Sequence, residues 1–246
     1  MNSRATLTYC GHSAVIVQTE RNLRIAIDPF LEGNPSCPLQ LLEPGRIDAI
    51  ALTHGHSDHV GSTLELGKRH QARLFANFEL GELLVKDGYD ESLVESMNKG
   101  GTVPYADGSI SVSLTHAFHS SSYVARDGKT YYAGEPCGVV IKLESGRTIY
   151  HAGDTIFFSD MWMIRNLYQP DVVLLPIGDR YTMGPREAAQ AVEVLAPQVV
   201  IPIHYGTWPA LTGTPEQLIA ALEGSDVNTR VVALKPGETL ALEEIS

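Results

Sequence analysis

Apolar and polar residues alternate from the start of the chain. ATLTYC (5–10), SAVIVQT (13–19) and LRIAIDPF (23–30) read as short β-strands, each with one face toward a core. The third ends at Asp28–Pro29, because proline cannot donate to a central ladder. Residues 31–46 carry three prolines and two glycines and predict an irregular loop. IDAIALT (47–53) is a continuous apolar run, the pattern of a strand buried on both faces. A helix is predicted over VGSTLELGKRH (60–70), a strand over ARLFAN (72–77) and a helix over FELGELLVKDG (78–88). SISVSLTHAF (109–118) and GVVIKLES (138–145) predict strands flanking a Tyr- and Gly-rich loop at 120–136.

RTIYHAG (147–153) is a further strand, followed by a helix over FSDMWMIRNLY (158–168). Met161, Trp162 and Met163 in that helix read as core packing, with a hydrophobic lid as the alternative. DVVLLPIG (171–178) is a second doubly buried strand, and PREAAQAVEVLA (185–196) a helix with Pro185 suited to its first turn. QVVIPIHYG (198–206) predicts a strand, EQLIAALEG (216–224) a helix and TRVVALKPGETLAL (229–242) a closing pair of strands. The pattern predicts an α/β (mixed α+β) chain, a mixed sheet system covered by helices. The order of an Asp-terminated strand, a connection and a doubly buried strand occurs twice, beginning at LRIAIDPF and at RTIYHAGDT. It reads as a weak internal duplication within one domain, 1–246, with halves of about 1–125 and 126–246; a chance likeness of two βαβ units is the alternative.

Composition narrows the class. A chain of 246 residues, 43% hydrophobic and 19% charged, is an ordinary globular protein able to bury a full core. Its 18 basic and 29 acidic residues give a net charge of −11, and no run of Lys or Arg stands out, so no nucleic-acid partner is expected. The N-terminal sequence has no signal-peptide pattern, and no 18-residue apolar run exists to span a membrane. Cys10, Cys37 and Cys137 are scattered and odd in number, which fits a reducing cytoplasm rather than a disulfide framework. Homo-oligomerisation is left open.

The chemistry concentrates after the first doubly buried strand. THGHSDH places His54, His56, Asp58 and His59 within six positions, out of nine histidines in the chain. Imidazole nitrogen and carboxylate oxygen are ligands that suit zinc, manganese or iron. On an extended strand end residues 54 and 56 point the same way, toward one ion, and Asp58 and His59 follow in a turn that can face a second. Incidental solvated histidines are the alternative. Further donors stand at other strand ends: His116 and His119 in LTHAFHSSS, His151 and Asp154 in YHAGDT, and His204 in VIPIHYG. Strand ends are where α/β active sites form.

These motifs, with GHSAVIV, IDPF, LPIGDRYTMGP and HYGTWP, resemble the metallo-β-lactamase superfamily, and within it the UPF-type metal-dependent hydrolases related to ascorbate-6-phosphate lactonases. The likeness runs from residue 11 to about 209. It implies a four-layer αβ/βα sandwich and two divalent ions per chain, zinc first, manganese or iron otherwise. His54, His56 and His119 would hold the first ion, and Asp58, His59 and His204 the second. Asp154 would bridge them, and His119 takes the ligand role rather than His116. His56 intact, where the redox diiron members carry a Glu, favours hydrolysis. The paired ions would lower the pKa of a bound water, with Asp58 orienting it. The expected substrate is a small ester, lactone or phosphorylated sugar derivative. A phosphodiesterase or nuclease of the same fold, or a non-catalytic metal-binding regulator, is the alternative.

Other residues are weaker candidates. His151 reads first as a buried structural histidine, with a catalytic or ligand-orienting role carried beside it as a candidate. His12, Asp179, Arg180, Tyr181 and Tyr205 are candidate substrate contacts, the middle three because they sit in a loop after a buried strand; the alternatives are a satisfied loop histidine for His12, simple exposure for Arg180 and a ring turned away from His204 for Tyr205.

Overall fold

The computed structural model describes residues 4–245; residues 1–3 and 246 of the expected single unit lie outside the described residues. Strands β1 (Thr6–Gly11), β2 (Ala14–Gln18), β3 (Arg24–Ile27), β4 (Ala49–Ala51), β5 (Arg73–Asn77) and β6 (Val94–Met97) build a first sheet. A second takes β7 (Thr102–Tyr105), β8 (Ile110–His116), β11 (Cys137–Lys142), β12 (Thr148–His151), β13 (Val172–Pro176), β14 (Val199–Ile203) and β15 (Arg230–Val231). β9 (Ser122–Val124) and β10 (Thr130–Tyr132) form a separate hairpin, and β16 (Thr239–Ala241) returns to β1. Each large sheet has seven strands, ordered β16-β1-β2-β3-β4-β5-β6 and β7-β8-β11-β12-β13-β14-β15. In both, the first three pairings are antiparallel and the last three parallel. The sheets divide between Met97 and Thr102, earlier than the expected midpoint at 125/126.

Among the described residues, six α-helices complete the layers: α1 (Ser57–Val60), α2 (Thr63–His70), α3 (Phe78–Lys86), α4 (Met161–Tyr168), α5 (Pro185–Leu195) and α6 (Pro215–Leu222). Strand periodicity decides which core each side chain enters. Along β4, Ala49 and Ala51 meet the opposing sheet, whereas Ile50 joins Leu66, Leu80 and Leu84 beneath α2 and α3. Along β13, Val172 and Leu174 face the sheet interface, and Val173 and Leu175 pack under α4 and α5 with Met161, Ile164 and Val192. Both central strands are covered on two sides, hence their unbroken apolar runs. The result is a four-layer αβ/βα sandwich with two mixed sheets between helices.

Several elements differ from the sequence expectation. The hairpin β9–β10 occupies the predicted loop at 120–136, and β6 and β7 lie where nothing regular was expected. The two strands of the predicted closing pair do not pair with one another: β15 pairs parallel with β14, and β16 crosses to β1. Each thereby covers a sheet edge that a self-contained hairpin would leave open. The helix expected over 60–70 begins at Ser57 and breaks at Gly61, whose φ is 38°. A Cβ at Gly61 would stand 2.4 Å from the Phe30 Cα, so the close crossing of the two loops requires glycine. In α4, Met161 is core while Trp162 and Met163 remain exposed. No helix among the described residues is long and apolar enough to cross a membrane.

Candidate metal centre

Seven donors converge where strand ends from both sheets meet. His54, His56, Asp58 and His59 follow β4, His119 follows β8, Asp154 follows β12 and His204 follows β14. Donor atoms of His54, His56 and His119 form one compact group, all within 4.8 Å of one another. Asp58, His59 and His204 form a second, which also includes His12, and Asp154 joins His54 and His59 in a third. Asp154 stands between the groups: Oδ1 is 3.4 Å from His59 Nε2, and Oδ2 is 3.1 Å from His204 Nε2 and 3.5 Å from His119 Nε2. His54, His59, Asp154 and His204 are buried; His56, Asp58 and His119 are half-buried and form the open side. His59 Nε2 and Asp154 Oδ1 are buried without a hydrogen-bond partner. Such orphaned atoms are costly unless a cation fills the gap. Neutral imidazoles and carboxylates are the donors a zinc-type ion takes, so the cluster fits the implied metals.

A second layer fixes which nitrogen of each ring faces inward. Buried Asp28, just past β3, accepts from His59 Nδ1 at 2.7 Å, from the Thr53 hydroxyl at 2.6 Å and from the Thr53 N–H at 2.8 Å. With its hydroxyl proton given to Asp28, Thr53 accepts from His54 Nδ1 at 3.0 Å, which turns the bare Nε2 of His54 inward. Ser121 Oγ accepts from the Gly55 N–H at 3.2 Å and steadies the loop between His54 and His56. The sequence reading gave Asp28 and Thr53 no role in the site; its one available signal was an Asp at the end of a buried strand. Asp28, His12 and His204 carry positive φ of 47°, 58° and 54°. Non-glycine residues pay roughly 1–3 kcal/mol for such conformations, and they concentrate where tertiary contacts over-determine the backbone.

Burial and charge set the protonation states. Burial lowers His12 to about 4 and moves His54, His56, His119 and His151 down from 6.5, favouring the neutral form. Burial opposes charge on His59 too, yet the Asp154 and Asp28 carboxylates raise it well above 6.5. Burial works against ionised Asp154, but His204 and His59 hold it well below its usual range. Asp58 is likewise held down, by the hydrogen bond from His12 and by His59. These shifts predict a pH response of the metal-free protein. An unfolded chain takes up protons near pH 6.5 at these buried histidines, and the folded chain refuses them, so stability falls as pH drops through 6.5. The raised His59 acts above 6.5 and the depressed carboxylates act below about 4, outside this window. Chelator-treated protein is expected to melt at progressively lower temperature from pH 7 to 5; a flat profile would count against neutral burial of these rings.

The remaining candidates separate by position. His151 is fully buried with both ring nitrogens on backbone: Nε2 donates to the Ser13 carbonyl at 2.8 Å, and Nδ1 accepts from the Gly153 N–H at 3.1 Å. It has no nitrogen left for the cluster, so the catalytic reading is replaced by one of holding the turn before Asp154. His12 is fully buried behind Phe30 and half-exposed Trp208, at ring separations of 6.0 and 4.9 Å, and does not line an open cleft. Tyr205 packs into the core beneath α5 and α6 rather than toward the cluster. The loop with Asp179, Arg180 and Tyr181 is tied near Asp154 by Met183 N–H to the Thr155 carbonyl, at 3.1 Å. Asp179 accepts from its neighbour's N–H, while Arg180 and Tyr181 stay exposed and stack at 5.5 Å. His116 lies against Phe118 and Phe158 with Lys99 Nζ 3.3 Å away, and the structure brings His119 alone of the pair to the cluster.

A four-layer sandwich with these clustered donors at one edge defines a metal-dependent hydrolase. Residues 23–205 match the β-lactamase superfamily domain. The chain is 43% identical over 233 residues to a UPF0173 metal-dependent hydrolase of Koribacter versatilis, covering 95% of this chain and 96% of that one. A UPF0173 metal-dependent hydrolase of Rubrobacter xylanophilus is also 43% identical, over 234 residues and 95% of each chain. Among solved structures, Igni18, a metallo hydrolase from the archaeon Ignicoccus hospitalis, superposes with a TM-score of 0.84 at 36% identity, covering 97% of this chain and 98% of that one. The chain belongs to the β-lactamase superfamily, among its UPF0173 metal-dependent hydrolases.

Proposed function

We propose that this protein hydrolyses a small organic substrate, an ester, lactone or phosphorylated sugar derivative, with two divalent ions held by the seven-donor cluster. The observation that carries the reading is Asp154, whose carboxylate meets both donor groups, Oδ1 toward His59 and Oδ2 toward His204 and His119. His54, His56 and His119 would hold one ion and Asp58, His59 and His204 the other, with zinc suited to the imidazole-rich set. Bound ions supply an activated water and polarise the bond under attack. The protein's part is to fix the donors and to exclude bulk water. Half-exposed Asp58 faces the open side, where its carboxylate orients the attacking water. Exposed Phe118, Ile156 and Trp208 lie on the segments that carry His119, Asp154 and His204 and add apolar surface there, and the net charge of −11 opposes a phosphate backbone. Both favour a compact organic substrate over a polynucleotide.

Protein purified without chelator is expected to carry close to two ions per chain by elemental analysis. The loaded enzyme should turn over lactones or esters, with Asp58→Ala losing that activity. A stable, metal-free preparation would sink the metal reading. Phosphodiester cleavage without lactone or ester turnover would replace the substrate class.

A further inference from the structure

Between β1 and β2 the chain turns on His12 and Ser13, and this short turn touches three of the segments that carry the donors. The His12 carbonyl accepts from the backbone N–H of His204 at 2.8 Å and from the Tyr9 hydroxyl at 2.9 Å. The Ser13 carbonyl accepts from His151, three residues before Asp154. The His12 ring reaches the third segment: Nε2 is 3.1 Å from Asp58 Oδ2 and Nδ1 is 2.9 Å from Thr207 Oγ1. An ionised carboxylate only accepts, so the ring proton lies on Nε2 and the Thr207 hydroxyl donates to Nδ1. The ring is clamped between Trp208 and His204, at centroid separations of 4.9 and 4.2 Å. The backbone is held at φ 58°, a conformation that local propensity does not favour.

We infer that this turn is the frame of the second donor group and that His12 is a positioning residue, acting through Asp58 and His204 on the second ion. The inference rests on the two-ion reading above. Side chain and carbonyl of one residue join Asp58, on the first sheet's side, to His204, on the second's. Thr207, three residues beyond His204, then fixes the ring from behind. The His12 side chain makes no hydrogen bond to His54, His56 or His119, so its loss should weaken one ion and spare the other.

Stepwise zinc titration of chelator-stripped protein tests this, with cobalt replacing zinc as a spectroscopic probe. Wild type should bind in two steps. His12→Phe keeps the ring and loses both side-chain hydrogen bonds; its first step should stay within about twofold while the second weakens by roughly 10–100-fold, as for other outer partners of metal ligands. The visible band of the second cobalt should change with it. His12→Gln, which restores a donor toward Asp58, should recover most of the second step, and Thr207→Val should weaken it by a smaller factor. Two wild-type steps in His12→Phe would overturn the positioning role, as would a glutamine variant no better than phenylalanine. Should His12→Phe fail to fold by circular dichroism, an unaltered second step in Thr207→Val overturns it instead. Wild type that binds no ion would refute the two-ion reading itself, a result separable from all of these.

Discussion

Asp154→Ala is expected to lose bound metal and hydrolysis together while the fold persists. Asp154 alone faces both donor groups, one oxygen toward His59 and the other toward His204 and His119. Without it, His54, His56 and His119 remain one cluster of neutral rings, and Asp58, His59 and His204 another, with no anion shared between them. His59 also loses one of the two carboxylates that favour its positive charge, leaving Asp28 as its partner. The variant should carry one ion or fewer. Paired ions contribute several kcal/mol to the transition state, and about 1.4 kcal/mol corresponds to a tenfold change in rate. A loss on the order of 10³-fold or more follows from those two magnitudes. Asp154→Asn keeps the shape and removes the charge, so it should move the same way. Elemental analysis and steady-state rates check both variants. Two retained ions with turnover within tenfold of wild type would show that the donor groups work independently.

The clustered His and Asp residues were legible in the sequence because their signal is local: four of the seven lie within six residues, and the others each follow an apolar strand. Their grouping in space depends on long-range sheet pairing that spacing alone does not encode. The doubly buried strands were legible for the same local reason, since Ile50 and Val173 must be apolar toward helices while Ala51 and Leu174 must be apolar toward the other sheet. Marginal elements were not. In β10, Thr130, Tyr131 and Tyr132 are all exposed, so no alternation marks them. β7 contains Pro104, tolerable only because β7 is an edge strand, a fact of topology rather than of sequence. Residues that hold the donors from behind were hardest to read. Thr53 and Asp28 matter through bonds across 25 positions, and His12 meets Phe30 from a neighbouring strand end and Trp208 from across the sheet boundary. His151 is the converse case: its place near Asp154 in sequence leaves a catalytic role open beside a structural one, and the backbone partners of its two nitrogens favour the structural role.

Asp28→Asn should destabilise the metal-free protein and weaken metal binding, two losses with one origin. The residue is fully buried and receives three hydrogen bonds, from the Thr53 N–H, the Thr53 hydroxyl and His59 Nδ1. Asparagine tolerates the positive φ of 47° about as well as aspartate, so the substitution isolates the carboxylate from the backbone preference. Its amide offers one oxygen where two acceptors are needed, and its NH₂ group then points at a donor. Breaking a buried charged pair from one side costs about 3–5 kcal/mol. In a domain of this size each kcal/mol lowers Tm by about 2–4 °C, so a fall of roughly 6–20 °C is expected in chelator. Separately, His59 loses the acceptor that fixes its tautomer, and His54 loses the arrangement of Thr53 that fixes its own. Either change should weaken zinc by about 10–100-fold. His54 belongs to the first donor group and His59 to the second, so both titration steps should weaken, unlike the single step expected for His12→Phe. A variant that melts within about 2 °C of wild type, or weakens one step alone, would show that Asp28 does not orient both rings.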